Sequence, residues 1–330
     1  MENIQSTLDK LASQSDRRTS VFDIEIVRLQ NSSLTLSGRL LDDSQLEMLT
    51  RHFSNWKLDT GSIQVLRKKN LPRMHVATNL TGLYEKPTFG MPLSSELCYG
   101  TELEVLEEQG QWIFARQEDG YLGWAYKPYL AEGSPTKCSH LVLTSSYGLR
   151  TQPDRESEIV TRVVSGTGVC VEEERGEWAK VVANKTGWMP RSFLRTSSAI
   201  PNSLEERRKT LLQDSGRMTG VPYLWGGISG NGIDCSGLAR LLHRWVGVAI
   251  PRDADMQHAA AKPVEPPFEV GDLLFFAEEG SQRKITHVGV SLGGWRMIHS
   301  SRRNNGVYID DVQEQESLRQ IFVSAGSFLR

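Results

Sequence analysis

Two stretches of the chain repeat each other at a nearly constant offset, and this repeat restricts how its middle can fold. The first, "GLYEKPTFGMPLSSELCYGTELEVLEEQGQWIFARQEDGYLGWAYKPYL", begins at Gly82; the second, "GLRTQPDRESEIVTRVVSGTGVCVEEERGEWAKVVANKTGWMPRSFL", begins at Gly148. Gly82 and Gly148, Gly100 and Gly166, and Trp112 and Trp178 are each 66 positions apart, and Trp124 and Trp188 are 64 apart. Self-similarity at a fixed period means one structural unit built twice. Inside each copy, alternating runs such as "ELEVLEE", "WIFARQ" and "WAKVVA" are separated by Gly, Asp, Asn or Pro, which predicts short antiparallel strands joined by turns. Each copy is therefore expected to close into a small β-barrel.

The pattern within each copy (Gly-Leu, a Pro, Gly-Thr before a strand, Gly-x-Trp, then Gly-Trp and a closing Leu) resembles the bacterial SH3-like, or SH3b, domain. The resemblance divides the middle of the chain into residues 71–134 and 135–199. Ahead of it, "VFDIEIVRLQNSSLTLSGRLLDDSQLEMLTRHF" predicts a hairpin turning at Asn31-Ser32-Ser33 and a helix capped near Asp42 or Asp43, and "SIQVLRK" a third strand. Residues 1–70 are thus a small α+β unit in which no residue looks chemical. Beyond the repeats, "IPNSLEERRKTLLQDSG" predicts a helix capped at Asn202 or Ser203 and stopped at Gly216. "VGDLLFF", "ITHVGVSL", "RMIHSS" and "GVYIDDV" then predict an antiparallel sheet, so residues 200–330 form a third kind of domain.

Chemistry concentrates in "YLWGGISGNGIDCSGLARLLHRW", residues 223–245. Its glycines lack the Gly-Lys-Ser/Thr of a phosphate loop, and a proline-containing "GVPYL" replaces the apolar strand such a loop follows. A nucleophile fits better. Leu238, Leu241, Leu242 and Trp245 recur at helical spacing after Cys235, which puts the thiol in the first turn, where the helix dipole and unpaired N–H groups favour thiolate. On this reading position alone activates Cys235. A base is still required, and of seven histidines only His287 and His299 sit in strand-like runs that could face the helix start. His287 would be the base and His299 the group that fixes its tautomer. A buried structural cysteine beside two packed histidines, or a zinc ion held by all three, are the competing readings.

"PYLWGG", "DCSGL", "PRDADMQ", "GDLLFF", "THVGV" and "MIHSS" occur in the order and approximate spacing of the NlpC/P60 cysteine peptidases, which this part of the chain resembles. The resemblance implies a papain-like α+β fold, with Cys235 as nucleophile, His287 as base and His299 as orienting residue. Together with two SH3b modules it further resembles the γ-D-glutamyl-L-diamino acid endopeptidases of the dipeptidyl-peptidase VI type, which act on murein peptides. That implies a tripeptide or tetrapeptide substrate, L-Ala-γ-D-Glu-diamino acid, whose free amino terminus meets Glu85 and Asp253, with Tyr121 as a further cleft residue. Tyr223 would lie near the oxyanion, Trp225 would wall the cleft, and Asp234 and Ser236 would contact D-Glu. Ala254 stands where relatives often carry a hydroxyl residue.

The chain has 330 residues, with 38 Lys plus Arg against 40 Asp plus Glu. It has no block of basic residues interleaved with aromatics, which argues against nucleic acid or an anionic membrane as partner. The four cysteines are widely spaced without a CxxC pair and are expected as thiols. No cofactor or metal is expected. The first residues lack a basic segment followed by an apolar one, so the expected location is the cytoplasm. The multidomain expectation is a small α+β unit, two SH3-like β-barrels and a C-terminal papain-like peptidase; a secreted wall hydrolase or an inactive wall-binding protein are the alternatives.

Overall fold

A computed structural model describes residues 4–278 and 284–329. They form two compact units: Met1–His75 with Tyr84–Phe89 and Glu102–Ser134, and Val76–Leu83 with Gly90–Thr101 and Pro135–Arg330.

In the first unit the hairpin Phe22–Gln30 and Ser33–Leu40 turns at Asn31, whose φ of 51° is a left-handed conformation that Asn tolerates. The helix Asp43–His52 opens with a capping box in which Asp42 receives backbone N–H groups and Gln45 reaches back to the cap. It crosses to the strand Lys57–Val65, which runs parallel to Ser33–Leu40 and begins five residues before the predicted "SIQVLRK". Leu8 and Leu11 of a further helix, Ile4–Ser13, pack with Leu34, Leu36, Leu49 and Phe53 beneath this sheet. The strands Glu102–Gln109, Trp112–Gln117 and Leu122–Tyr126 of the first repeat make an antiparallel meander.

In the second unit the second repeat forms a seven-stranded antiparallel sheet around Val142, Leu149, Val163, Val181 and Met189. The helix Leu204–Ser215 follows, with Ser203 and Glu206 as a capping box. A six-stranded antiparallel sheet then runs in the order Lys262–Val264, Phe322–Ser327, Leu273–Phe276, His287–Ser291, Arg296–Ser301, Gly306–Asp311. The helix Cys235–Trp245 lies against it, sinking Leu238, Leu241, Leu242 and Trp245 into a core with Phe275, Val288, Val290 and Ile298. That core fixes the helix whose first residue is Cys235.

The glycine-rich loop before the helix is filled by the protein's own backbone. Gly226 has a φ of +79°, and a Cβ there would stand 2.3 Å from the Leu93 carbonyl oxygen; at Gly230 a Cβ would stand 1.9 Å from that of Ser145. These glycines admit the strand Leu93–Cys98 and the bend at Ser145 against the loop. Gly226→Ala is expected to destabilise the protein by about 2–4 kcal/mol, from overpacking and a left-handed alanine, measured by urea unfolding. A loss below about 0.5 kcal/mol, the range of a neutral surface change, would show that the loop yields to the methyl group.

Candidate active site

Asp234 is the N-cap of the cysteine helix, its Oδ1 accepting the Gly237 N–H at 2.7 Å. Its other oxygen accepts the Gly226 N–H at 2.9 Å. Arg252, 1 % exposed, donates to both oxygens from Nη1 at 3.1 Å and Nη2 at 2.8 Å, a fork-to-fork charge-assisted pair. Ser236 donates to Asp234 and accepts from Arg252. The side chains of Asp234 and Ser236, expected to contact D-Glu, are bonded within the protein, where they hold the loop and the helix start.

Two residues of the first repeat complete this scaffold. Ser95 Oγ accepts from Arg252 Nε at 3.1 Å, and Glu96 Oε2 accepts the Ile228 N–H at 2.9 Å. Burial pushes the Glu96 carboxyl above its usual range, opposed by its hydrogen bonds from Ile228 and Ser229. Both Ser95 and Glu96 belong to the strand Leu93–Cys98, in which the Glu96 N–H also donates to the Gly226 carbonyl. Arg252 lies in the "PRDAD" stretch that singled out only Asp253.

Cys235 is 8 % exposed, and backbone N–H groups of Val288 and Ser236 point at its sulfur. Val288 directly follows His287, so the base begins the strand against which the thiol rests. His287 Nε2 lies 2.8 Å from His299 Nδ1, and His299 Nε2 lies 2.8 Å from Asp310 Oδ2. Asp310 is the member that sequence reasoning missed. It sits on the strand Gly306–Asp311 as the diagonal neighbour of His299, whose direct partner is Tyr308.

The partners dictate the tautomers. A carboxylate only accepts, so His299 Nε2 carries hydrogen and Nδ1 offers its lone pair; His287 Nε2–H donates to it. The lone pair of His287 then lies on Nδ1, the nitrogen left for the Cys235 proton. The His299 hydrogen bond holds the Asp310 carboxyl below its usual range.

The expectation that position alone activates Cys235 does not hold. Burial first, and the Asp234 carboxylate second, push the thiol up to about 12, against the help of the Val288 and Ser236 N–H groups. Desolvation, with His299 beside it, lowers His287 to about 3. The resting pair is thiol and neutral imidazole. A helix start favours thiolate only where water or a cation reaches the sulfur, and here the cation, Arg252, is spent on Asp234.

Tyr223 and Trp225 stand at the start of the loop, the indole 58 % exposed. Burial, with the nearby Cys235 and Asp234, raises the Tyr223 hydroxyl to about 12, which keeps it protonated as a hydrogen-bond donor. Asp253 is the N-cap residue of the helix Ala254–Ala260, its Oδ1 3.8 Å from Arg252 Nη1, and Ala254 is buried. Glu85, exposed, and Tyr121, buried, belong to the first unit. Among the described residues no group of three metal-ligating side chains could hold an ion, and all four cysteines are free thiols.

The His287 shift predicts acid lability. An unfolded histidine takes a proton below about 6.5, whereas folded His287 refuses one until about 3. The unfolded chain binds more protons in that window, so this contribution is complete above pH 6.5 and is lost as pH falls towards 3. Because the ring is partly exposed, the loss amounts to about 1–3 kcal/mol. Urea unfolding of wild type and His287→Gln between pH 7 and 4.5 should show a flatter profile in the variant; parallel profiles would contradict the assignment.

The NlpC/P60 family model matches residues 220–325, the bacterial SH3 domain matches 145–195, and the bacterial dipeptidyl-peptidase SH3 domain matches 83–125. The chain is 31% identical over 236 residues to the gamma-D-glutamyl-L-lysine dipeptidyl-peptidase of Bacillus subtilis, covering 66% of this chain and 75% of that one. It is 26% identical to dipeptidyl-peptidase 6 of Lysinibacillus sphaericus, covering 74% and 93%. A crystal structure of an NlpC/P60 family protein from Bacillus cereus superposes with a TM-score of 0.65 at 21% identity, over 78% of this chain and all of that one, and so shares its fold. With its peptidase domain and its SH3 modules both matched, the chain belongs to the NlpC/P60 family of cysteine peptidases.

Proposed function

We propose that this peptidase, whose relatives cleave peptidoglycan peptides, hydrolyses the bond between γ-D-Glu and an L-diamino acid in short murein peptides with a free N-terminal L-Ala. The observation that carries the catalytic part is the chain from Asp310 through His299 to His287, which leaves the lone pair of His287 on Nδ1, with the neighbouring Val288 acting on the Cys235 sulfur. The substrate part is supported by the likeness to gamma-D-glutamyl-L-lysine dipeptidyl-peptidases.

In the first step His287 Nδ1 takes the thiol proton as Cys235 Sγ attacks the γ-carbonyl of D-Glu. Separating charge between a thiol near 12 and an imidazole near 3 is unfavourable at rest, so proton transfer is coupled to attack. The oxyanion is met by the Cys235 N–H in the first helical turn and by the protonated Tyr223 hydroxyl. The C–N bond breaks as His287 returns the proton to the departing amine of the diamino acid, leaving a thioester on Cys235. Water then attacks the thioester, His287 accepting its proton, and the carboxylate of L-Ala-D-Glu departs as the thiol re-forms.

Recognition of the free amine is assigned to the carboxylates of Glu85 and Asp253, with Tyr121 as a residue of the cleft. This rests on the family pattern, and on Thr151 standing in the second repeat where the first has Glu85. An α-ammonium removed from water needs such partners. An enzyme that demands this terminus acts on fragments already freed from glycan, which makes peptide recycling in the cytoplasm its place.

The test is cleavage of L-Ala-γ-D-Glu-L-Lys and its diaminopimelate form, each with free and acetylated amino termini, followed by mass spectrometry. The expected result is release of L-Ala-D-Glu from the free peptides, kcat/KM lower by about 100-fold or more on acetylation, the scale of a buried charge left unpaired, and no turnover by Cys235→Ala. Equal cleavage of free and acetylated peptides, or digestion of intact sacculi at a comparable rate, would point instead to a wall hydrolase.

A further inference from the structure

Arg302 follows directly on the strand Arg296–Ser301 that carries His299. Its guanidinium lies over two aromatic faces at once, 5.6 Å from the Tyr223 ring centroid and 4.9 Å from that of Trp225. Tyr223 is in turn close enough to Cys235 and Asp234 for their charges to act on its hydroxyl. Stacking holds the planar cation in one orientation without neutralising it. The residue is exposed, and among the described residues it forms no ion pair; its neighbour Arg303 instead donates to Ser317 Oγ, and Arg252 is saturated by Asp234. A pre-oriented guanidinium next to the reaction centre, with no carboxylate of the protein on it, is a receptor for an anion that arrives with the substrate.

We infer that Arg302 is a specificity-determining residue that takes a substrate carboxylate flanking the scissile γ-amide. The inference rests on the murein-peptide reading above, whose substrates are rich in this group. A γ-linked D-Glu keeps its α-carboxylate free because the side chain supplies the peptide bond. The diamino acid adds a terminal carboxylate in a tripeptide, and a further one on its side chain when it is diaminopimelate. Each lies a few bonds from the carbon that Cys235 attacks. Arg302 sets the enzyme's preference among peptides that differ only in one of these carboxylates.

The experiment compares kcat and KM of wild type, Arg302→Gln and Arg302→Lys on four peptides. These are L-Ala-γ-D-Glu-L-Lys, the same peptide with D-Glu replaced by D-isoglutamine, the same with a C-terminal amide, and the diaminopimelate form. Loss of one charge-assisted, bidentate contact is worth about 10- to 100-fold. Wild type should therefore discriminate by that factor, chiefly in KM, between the members of one carboxylate/neutral pair. The discrimination should vanish in Arg302→Gln and persist in part in Arg302→Lys, and the pair concerned identifies the carboxylate. Because the side chain is exposed the variants are expected to fold, checked by unchanged Tm. If Arg302→Gln lowers kcat/KM by one factor on all four peptides, or on none, Arg302 only braces the two rings and the inference falls while the peptidase reading stands. If wild type cleaves none of them, that reading falls and takes the inference with it.

Discussion

The buried ion pair between Arg252 and Asp234 is the contact on which the site depends. Asp234 carries the first turn of the cysteine helix through the Gly237 N–H and ties the glycine-rich loop to it through the Gly226 N–H, so helix start and loop move as one piece. Arg252 neutralises that carboxylate, and Ser95 and Ser236 take its further hydrogen bonds. A buried pair with its hydrogen bonds complete is tolerated, but removing either member typically costs about 3–5 kcal/mol because the survivor is left charged and unpaired. The pair thereby couples the position of Cys235 to a strand of the first repeat, more than a hundred positions earlier in sequence.

The same pair has an electrostatic consequence. Asp234 is close enough to Cys235 to oppose thiolate, and its own cation is too engaged to help. Reactivity must come from the opposite side, where Asp310 and His299 leave His287 with its lone pair on Nδ1. Burial thus works against a resting thiolate on Cys235 and against a resting imidazolium on His287. Such a site is less exposed to chance alkylation and oxidation, both of which require thiolate.

Much of this was legible in the sequence where the signal is periodic or chemical. The Trp and Gly offsets revealed two β modules, the helical spacing after Cys235 placed the thiol at a helix start, and the strand-like surroundings of His287 and His299 put the two rings on one sheet, where they now lie 2.8 Å apart. The rest was hidden for physical reasons. Asp310 sits in "YIDDV", where alternation marks a strand but not which strand lies beside it, and a diagonal contact exists only once register is set. Arg252 drew no notice because sequence does not show the carboxylate that makes its burial possible. Asp234 and Ser236 flank the nucleophile and suggested substrate contacts, but their capping and ion-pair bonds depend on Arg252, which lies far along the chain. The reason for Gly226 and Gly230 was hidden too, because backbone from the two repeats closes on them only in the fold.

The central claim is that Asp310 sets the tautomers of the two histidines so that a neutral His287 presents its Nδ1 lone pair to a neutral thiol. Long-range proton–nitrogen correlation spectra of histidine-labelled protein at neutral pH measure this directly. The account predicts hydrogen on Nε2 of both His287 and His299 and an unprotonated Nδ1 on His287, with the pattern lost in Asp310→Ala. A resting His287 protonated on both nitrogens, or carrying its hydrogen on Nδ1, would contradict it.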